Sequence, residues 1–296
     1  MACEQDANEQ EVALKKIRVR IDALDQQIHQ LLNERARCAQ EVAEVKSRYQ
    51  QGEVVFYRPE REAQVLRAVM ERNEGPLPDA EIARLFREVM SSCLALEQPL
   101  RVVFPGALSS LSHQAAMKQF GQAAQFVPLE SIDAIFSEVS QGHAHYGIVP
   151  IERVDSKLSR AAVQALAKYD LALCGEVSEF GSRYLVIGDQ LVGPSGEDKT
   201  ALLVELNGSL DQLDELFQRA GMRPVTLVES PADSPATPLD NKRDEAFEAP
   251  AAEGNRLVYV DFFGHVSAKS VQQLCQSIEQ NSLKFKLLGS FPMAVL

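Results

Sequence analysis

Apolar residues near the start of the chain recur with the alternating three-and-four spacing of one long amphipathic helix. No glycine or proline interrupts the stretch from Leu14 to Lys46. This spacing predicts a helix with a coiled-coil-like seam that runs to about Arg48, while residues 1–10 are expected to be disordered. The seam consists of Leu14, Ile17, Ile21, Leu24, Ile28, Leu31, Cys38, Val42 and Val45.

Arg35 occupies a position on this seam that should be apolar. An unpaired buried charge costs several kcal/mol, and no acid shares the seam nearby, so we expect its partner to be a ligand. Lys46 follows after nearly three helical turns and points roughly the same way. Arg18 lies about 25 Å before Arg35, too far to bind the same small metabolite. It would serve either another purpose or a second site through an antiparallel partner helix. The alternative is that these cations are surface charges beside the seam.

Two shorter helices follow the long one. Pro59 suits the first turn of a helix that ends near Asn73, and Asp79 is a candidate N-cap for a helix that ends before Pro99. A helix of about 50 Å cannot bury its seam against two short helices. The pattern therefore predicts an all-α three-helix module over residues 1–99 that forms an entwined dimer.

From residue 100 the pattern changes to alternating strands and helices. Apolar runs predict strands at LRVVF, YGIVPI, LALCGEV and SRYLVIG, with helices over 110–121, 131–141 and 156–168. We interpret residues 100–192 as an α/β region.

A polar linker precedes a third region, over residues 198–296. Its predicted order of elements, βαββαβ, is that of a small ferredoxin-like α+β unit. Residues 231–254 are rich in proline, alanine and acidic residues, which predicts a disordered insert between the second and third strands.

Composition narrows the classes of function. The net charge of −12 and the lack of a basic run argue against nucleic-acid binding. No apolar run is long enough to span a membrane, and the N-terminus lacks the apolar core of a signal peptide. Five scattered cysteines without a C-x-x-C pair indicate reduced thiols in a cytoplasmic protein. The histidines lack metal-ligand spacing, so we expect no metal site.

The order of modules resembles the bacterial P-protein family, which fuses chorismate mutase, prephenate dehydratase and a phenylalanine-sensing ACT domain. The mutase resemblance is carried by LKKIRVRIDALDQQIHQLLNERARCAQEVAEVK, by RPEREAQVL and by IARLFREVMSSCLALEQ. It implies catalytic roles for Arg35, Lys46 and Glu97. It implies substrate-binding positions at Arg18, Arg58, Arg61, Glu62 and Cys93. In the family, the residue matching Arg18 crosses to the partner's site in an entwined dimer.

Three of these positions depart from the family pattern. Arg58 stands where many relatives have Asp, Cys93 where some have Ser, and Glu97 where some have Gln. The Glu97 departure bears on the pH dependence, because a carboxylate cannot donate a hydrogen bond and a protonated acid can.

The dehydratase resemblance is weaker. The family's glycine-rich turn reads Phe104-Pro105-Gly106-Ala107-Leu108-Ser109-Ser110-Leu111, and its Thr-Arg-Phe motif reads Ser182-Arg183-Tyr184. Relatives have a second lobe between the strands that match LALCGEV and SRYLVIG, and here only residues 178–181 separate them. The resemblance thus implies a truncated periplasmic-binding-like lobe, in which Ser110, Ser182 and Arg183 remain from the dehydratase site.

The ACT resemblance is strong in the tail GSFPMAVL and weak at the ligand site. Asp211 replaces a turn glycine, and the Glu-Ser-Arg-Pro-like motif reads Glu229-Ser230-Pro231-Ala232. We therefore expect the fold to be kept and the phenylalanine site to be lost.

Together these features predict a cytoplasmic, homodimeric chorismate mutase that acts in aromatic amino acid biosynthesis and has an inactive dehydratase region. Its partners would be chorismate and prephenate, with no nucleic acid and no membrane. Two alternatives stay open: a bifunctional mutase–dehydratase that makes phenylpyruvate, and a non-catalytic regulatory paralogue. The cationic set in residues 11–98 argues against the paralogue.

Overall fold

The computed structural model describes residues 2–49, 57–152, 160–206, 209–229 and 256–296. The chain divides into two compact units. The first is Met1–Phe56 with Cys93–Gln98, and the second is Tyr57–Ser92 with Pro99–Leu296. The predicted insert at 231–254 lies outside the described residues. No helix in the described ranges is long and apolar enough to cross a membrane.

Helix α1 spans Ala2–Tyr49 and is the main element of the first unit. The expectation that residues 1–10 are disordered is wrong for residues 2–10, which continue the helix. They contain no Gly or Pro and are rich in Ala, Glu and Gln, all good helix formers. The predicted seam is largely exposed in the single chain: Ile28 is 55% exposed and Leu31 is 63% exposed.

Helices α2 (Pro59–Glu71) and α3 (Asp79–Glu97) match the predicted short helices within two residues at each end. Pro59 starts α2, where its missing N–H costs nothing. Helix α2 buries Ala63, Leu66 and Val69 in the second unit. Helix α3 begins in the second unit and ends, from Cys93 on, in the first.

The α/β region is a mixed five-stranded sheet. Along the chain its elements are β1 (Arg101–Pro105), α4 (Leu111–Phe120), β2 (Gln125–Leu129), α5 (Ile132–Ser140), β3 (Tyr146–Glu152), α6 (Arg160–Lys168), β4 (Ala172–Glu179) and β5 (Ser182–Gly188). The strand order is β2-β1-β3-β5-β4. Strand β1 is parallel to β2 and β3, whereas β5 is antiparallel to β3 and β4. The predicted start of α6 at 156–159 lies outside the described residues.

Strands β4 and β5 form a hairpin with a two-residue turn. Glu179 pairs with Ser182, and between them Phe180 and Gly181 have φ values of 47° and 71°. Positive φ at both central residues is the geometry of a type I′ turn, which suits the twist of a hairpin. The interval at 178–181 noted in the sequence is therefore a closed turn, with nothing inserted between the two strands.

The last region is an antiparallel four-stranded sheet with two helices. Its elements are β6 (Asp198–Leu206), α7 (Asp211–Arg219), β7 (Pro224–Glu229), β8 (Arg256–Phe263), α8 (Lys269–Gln280) and β9 (Lys284–Pro292). The order β7-β8-β6-β9 gives the βαββαβ arrangement of a ferredoxin-like unit, as predicted.

The two sheets share one apolar core in the second unit. Ile135, Leu166 and Leu185 of the α/β region join Leu203 and Tyr259 of the ferredoxin-like region in a single buried cluster. At Gly289 of β9 a Cβ atom would lie 2.8 Å from the carbonyl oxygen of Leu173 in β4, so only glycine allows this approach.

Candidate functional site

Two cations predicted for the site lie on one partly covered face of α1. Arg35 and Lys46 are partly buried, as are Ala36, Ala39 and Ala43 between them. Three small side chains therefore separate the two long cationic side chains on this face.

Glu97, in the last turn of α3, belongs to the same compact unit as both cations. Burial raises the pKa of Glu97, while the positive charges of Lys46 and Arg35 act to lower it, and the net shift is upward. A carboxyl group with a raised pKa keeps its proton to higher pH and can then donate a hydrogen bond.

Cys93 lies one helical turn before Glu97 and is buried. Arg18 lies on the exposed part of α1, about 25 Å from Arg35 along the helix axis. The first unit of a single chain thus brings together Arg35, Lys46 and Glu97, and it leaves Arg18 apart from them.

The remaining predicted mutase residues lie on or just before α2, in the second unit. Arg58 is the N-cap residue of α2, and both Arg58 and Arg61 are exposed. Their cationic groups are accessible to an anionic ligand.

Glu62 is the exception, because its carboxylate is enclosed within the second unit. Its Oε1 accepts a hydrogen bond from Nε of Arg87 at 3.1 Å. Sequence reasoning missed Arg87. The available signal was its four-residue spacing from Ala83 and Ser91, which marks the buried stripe of α3.

The residues assigned to a dehydratase site have local structural partners or are buried. Ser110 is the N-cap of α4, and its hydroxyl accepts a hydrogen bond from the backbone N–H of His113. Ser182 is buried at the start of β5.

Arg183 belongs to a buried network of charges between the two sheets. Its Nη1 lies 2.7 Å from Oδ2 of Asp261 and 3.6 Å from Oε2 of Glu176. Lys199 donates to Glu176 at 2.7 Å, and the Tyr259 hydroxyl donates to Asp261 at 3.1 Å. The two cations, Arg183 and Lys199, balance the charges of the two carboxylates. The ion pair of Arg183 with Asp261 links strand β5 to strand β8.

Two family models match the chain. Residues 17–98 match the family model for chorismate mutase type II, and residues 102–234 match the model for prephenate dehydratase. The chain thus carries a chorismate mutase domain and a prephenate dehydratase domain.

Two relatives that match the chain almost end to end support the same family, and a solved structure has a similar fold. The bifunctional chorismate mutase/prephenate dehydratase of Pseudomonas aeruginosa is 31% identical over 376 residues, covering 96% of this chain and 98% of the relative. That of Stutzerimonas stutzeri is 32% identical over 373 residues, with the same coverage. The X-ray structure of prephenate dehydratase from Streptococcus mutans has a similar fold, with a TM-score of 0.52 at 18% identity over 66% of this chain and 98% of that one. The chain therefore belongs to the family of bifunctional chorismate mutase/prephenate dehydratases.

Proposed function

We propose that this protein rearranges chorismate to prephenate, and that Arg35, Lys46 and Glu97 form the centre of the site. The observation that carries the proposal is that Arg35, Lys46 and Glu97 belong to one compact unit, in which both positive charges act on the pKa of Glu97. Chorismate has two carboxylates and a bridging ether oxygen, and its rearrangement is pericyclic and needs no nucleophile or cofactor. Catalysis requires that the enzyme hold the compact conformer and stabilise charge on the ether oxygen.

Each residue has a role that suits its chemistry. The planar guanidinium of Arg35 suits bidentate binding of a carboxylate. The Lys46 ammonium and protonated Glu97 can both donate to the ether oxygen. The sequence resemblance further implies that Glu62 accepts the substrate hydroxyl and that Arg58, Arg61 and Cys93 bind substrate.

The exposed seam of α1 supports a homodimer. Ile17, Ile21, Leu24 and Ile28 follow one another at helical spacing, and each is about half exposed in the single chain. Burial of such a stripe against a second copy would stabilise the pair by roughly 25 cal/mol per Å² of apolar surface. In an antiparallel pair, Arg18 of each copy would reach the other copy's site.

The second domain is the point on which the sequence prediction and the comparisons differ. The relatives that match this chain end to end are named as bifunctional enzymes, which favours a retained dehydratase over a lost one. Two local features support loss: the closed β4–β5 turn, where the resemblance implies a second lobe, and the engagement of Arg183 with Asp261 and Glu176. The alignment with the Pseudomonas relative is also longer than this 296-residue chain, so the relative has residues that this chain lacks.

The ferredoxin-like sheet supports assignment of the last region as an ACT domain. Asp211, which replaces a turn glycine in the resemblance, is the first residue of α7 and is hydrogen-bonded to the Ser209 hydroxyl. Most of the second ligand motif, residues 230–232, lies outside the described residues.

Product analysis with the purified full chain tests the proposal and separates the alternatives. We expect saturable consumption of chorismate with prephenate as the product. Phenylpyruvate formed from prephenate at neutral pH, above the acid-catalysed background, would establish the bifunctional alternative. No turnover of chorismate or prephenate would leave only the non-catalytic paralogue.

A further inference from the structure

Residues 189–197 connect the two sheets of the second unit, from the end of β5 to the start of β6, and they lie along helix α2. At Gly193 a Cβ atom would lie 3.7 Å from Oε1 of Glu60, in the first turn of α2. Gln64, one turn further along α2, donates to the backbone carbonyl of Pro194 at 3.4 Å. This segment, called the 189–197 linker below, therefore contacts a helix of the chorismate mutase domain.

Arg67, on the next turn of α2, binds the linker through its guanidinium group. Its Nη1 donates to Oγ of Ser195 at 3.1 Å and to the carbonyl of Ser195 at 3.4 Å. Its Nη2 donates to the carbonyl of Glu197 at 3.0 Å and to that of Met293, just after β9, at 3.3 Å. The guanidinium presents five donors in a planar fork, which suits several acceptors at once. One side chain thus joins α2 to both ends of the ferredoxin-like region.

Asp198, the first residue of β6, binds the linker from the side of the ferredoxin-like sheet. Its Oδ2 accepts from the backbone N–H groups of Ser195 at 2.9 Å and Gly196 at 3.2 Å, and its Oδ1 accepts from the Ser195 hydroxyl at 2.6 Å. Ser195 is therefore bound by Asp198 on one side and by Arg67 on the other. Residues 189–197, all of them described in the structure, lie outside every helix and strand, so their order depends on such side-chain contacts.

The contacts of Arg67 are close to the surface of the second unit. The Arg67 side chain is 21% exposed, and that of Glu197, whose Oε2 lies 3.3 Å from Nε of Arg67, is 66% exposed. Solvent screens such an ion pair, so it contributes little, and the hydrogen bonds from the charged guanidinium to the backbone carbonyls contribute more. The loss of these bonds would open the linker locally, whereas the strands are held by their ladders and by the common core.

We propose that Arg67 couples helix α2 of the mutase domain to the ferredoxin-like region through the 189–197 linker. When the Arg67 contacts open, the linker and α2 loosen together while the sheets stay closed. The coupling is reciprocal, so a change that orders or loosens one of the two segments does the same to the other. It concerns the conformation of the second unit and does not depend on which reaction either domain catalyses.

Hydrogen exchange followed by mass spectrometry on the full chain tests the coupling, with the wild type, Arg67→Met and Arg72→Met compared. Methionine keeps an unbranched side chain at position 67 and removes the donors. Arg72 is the matched control, because it is exposed at the end of α2 and donates to the carbonyl of Ala68 in the same helix. We expect Arg67→Met to speed exchange about tenfold or more in the linker and to speed it in α2, with β3 and β5 unchanged. Arg72→Met should match the wild type in the linker.

Ser195→Ala tests the reciprocal effect from the linker side. It removes the hydroxyl that accepts from Arg67 and leaves the sequence of α2 intact. We expect faster exchange in α2 as well as in the linker, by a smaller factor than in Arg67→Met. In the double variant the combined effect should be less than the product of the two, because both substitutions remove the same contact.

Three results would overturn the inference. The first is unchanged exchange in the linker of Arg67→Met, and the second is an equal increase in the linker, α2, β3 and β5, which would show general destabilisation. The third is unchanged exchange in α2 of Ser195→Ala. If Arg67→Met does not fold, this third measurement decides alone, since faster exchange in α2 of Ser195→Ala supports the coupling.

Discussion

Replacement of Arg35 by alanine is expected to abolish mutase activity, a loss of at least about a hundredfold, while leaving a folded protein. Arg35 lies on the partly covered face of α1 with Lys46, and its positive charge acts on Glu97. Truncation removes the group proposed to bind a substrate carboxylate. If Arg35 were only a surface charge beside the seam, its removal would have no such effect. Steady-state kinetics with chorismate measure the change.

The control for this variant is Arg37→Ala. Arg37 is exposed on the same helix and carries the same charge. We expect it to keep the wild-type rate. Activity of Arg35→Ala within tenfold of the wild type would show that Arg35 is not part of the active site.

Replacement of Glu97 by glutamine is expected to change the pH dependence of the mutase. The pKa of Glu97 is raised, chiefly by burial, against the opposing charges of Lys46 and Arg35. If the protonated acid donates to the ether oxygen, the wild-type rate must fall as pH rises through this raised pKa. Glutamine donates at every pH, so Glu97→Gln should keep its activity at high pH.

Profiles of kcat/KM for the wild type, Glu97→Gln and Glu81→Gln measure this effect. Glu81 is an exposed glutamate in the first turn of the same helix, and its replacement should leave the alkaline limb unchanged. The same alkaline limb in the wild type and Glu97→Gln would mean that Glu97 only pairs with a cation at the helix end.

Local sequence patterns predicted most of the secondary structure, and the exceptions have physical causes. The residues before Leu14 carry no apolar periodicity, yet their helix propensity extends α1 back to Ala2. Strand β2 was not predicted, because QFVPL is short and contains Pro128. Proline is tolerated there because β2 is an edge strand that pairs only with β1 among the described strands.

Some residues of the candidate site could likewise be predicted from the sequence, and others could not. Arg35 could be predicted from the sequence, because it occupies a position of the α1 seam where the helical spacing calls for an apolar residue. The Glu62–Arg87 pair spans 25 residues, and the pair of Arg183 with Asp261 spans 78 residues. Such contacts depend on how separate elements pack, which spacing within one element does not encode.

Complementation between two inactive variants tests the central claim most directly, namely that this chain is a chorismate mutase whose sites are shared between two copies. Arg18→Ala and Arg35→Ala should each be inactive alone. In a hybrid dimer, one site would combine the intact Arg35 of one copy with the intact Arg18 of the other.

Co-expression of the two variants, with chorismate turnover as the readout, provides the measurement. Random pairing is expected to restore about a quarter of the wild-type activity, because half of the dimers are hybrids and each hybrid has one intact site of two. Activity no higher than that of either variant alone, in a sample shown to contain hybrid dimers, would contradict the account.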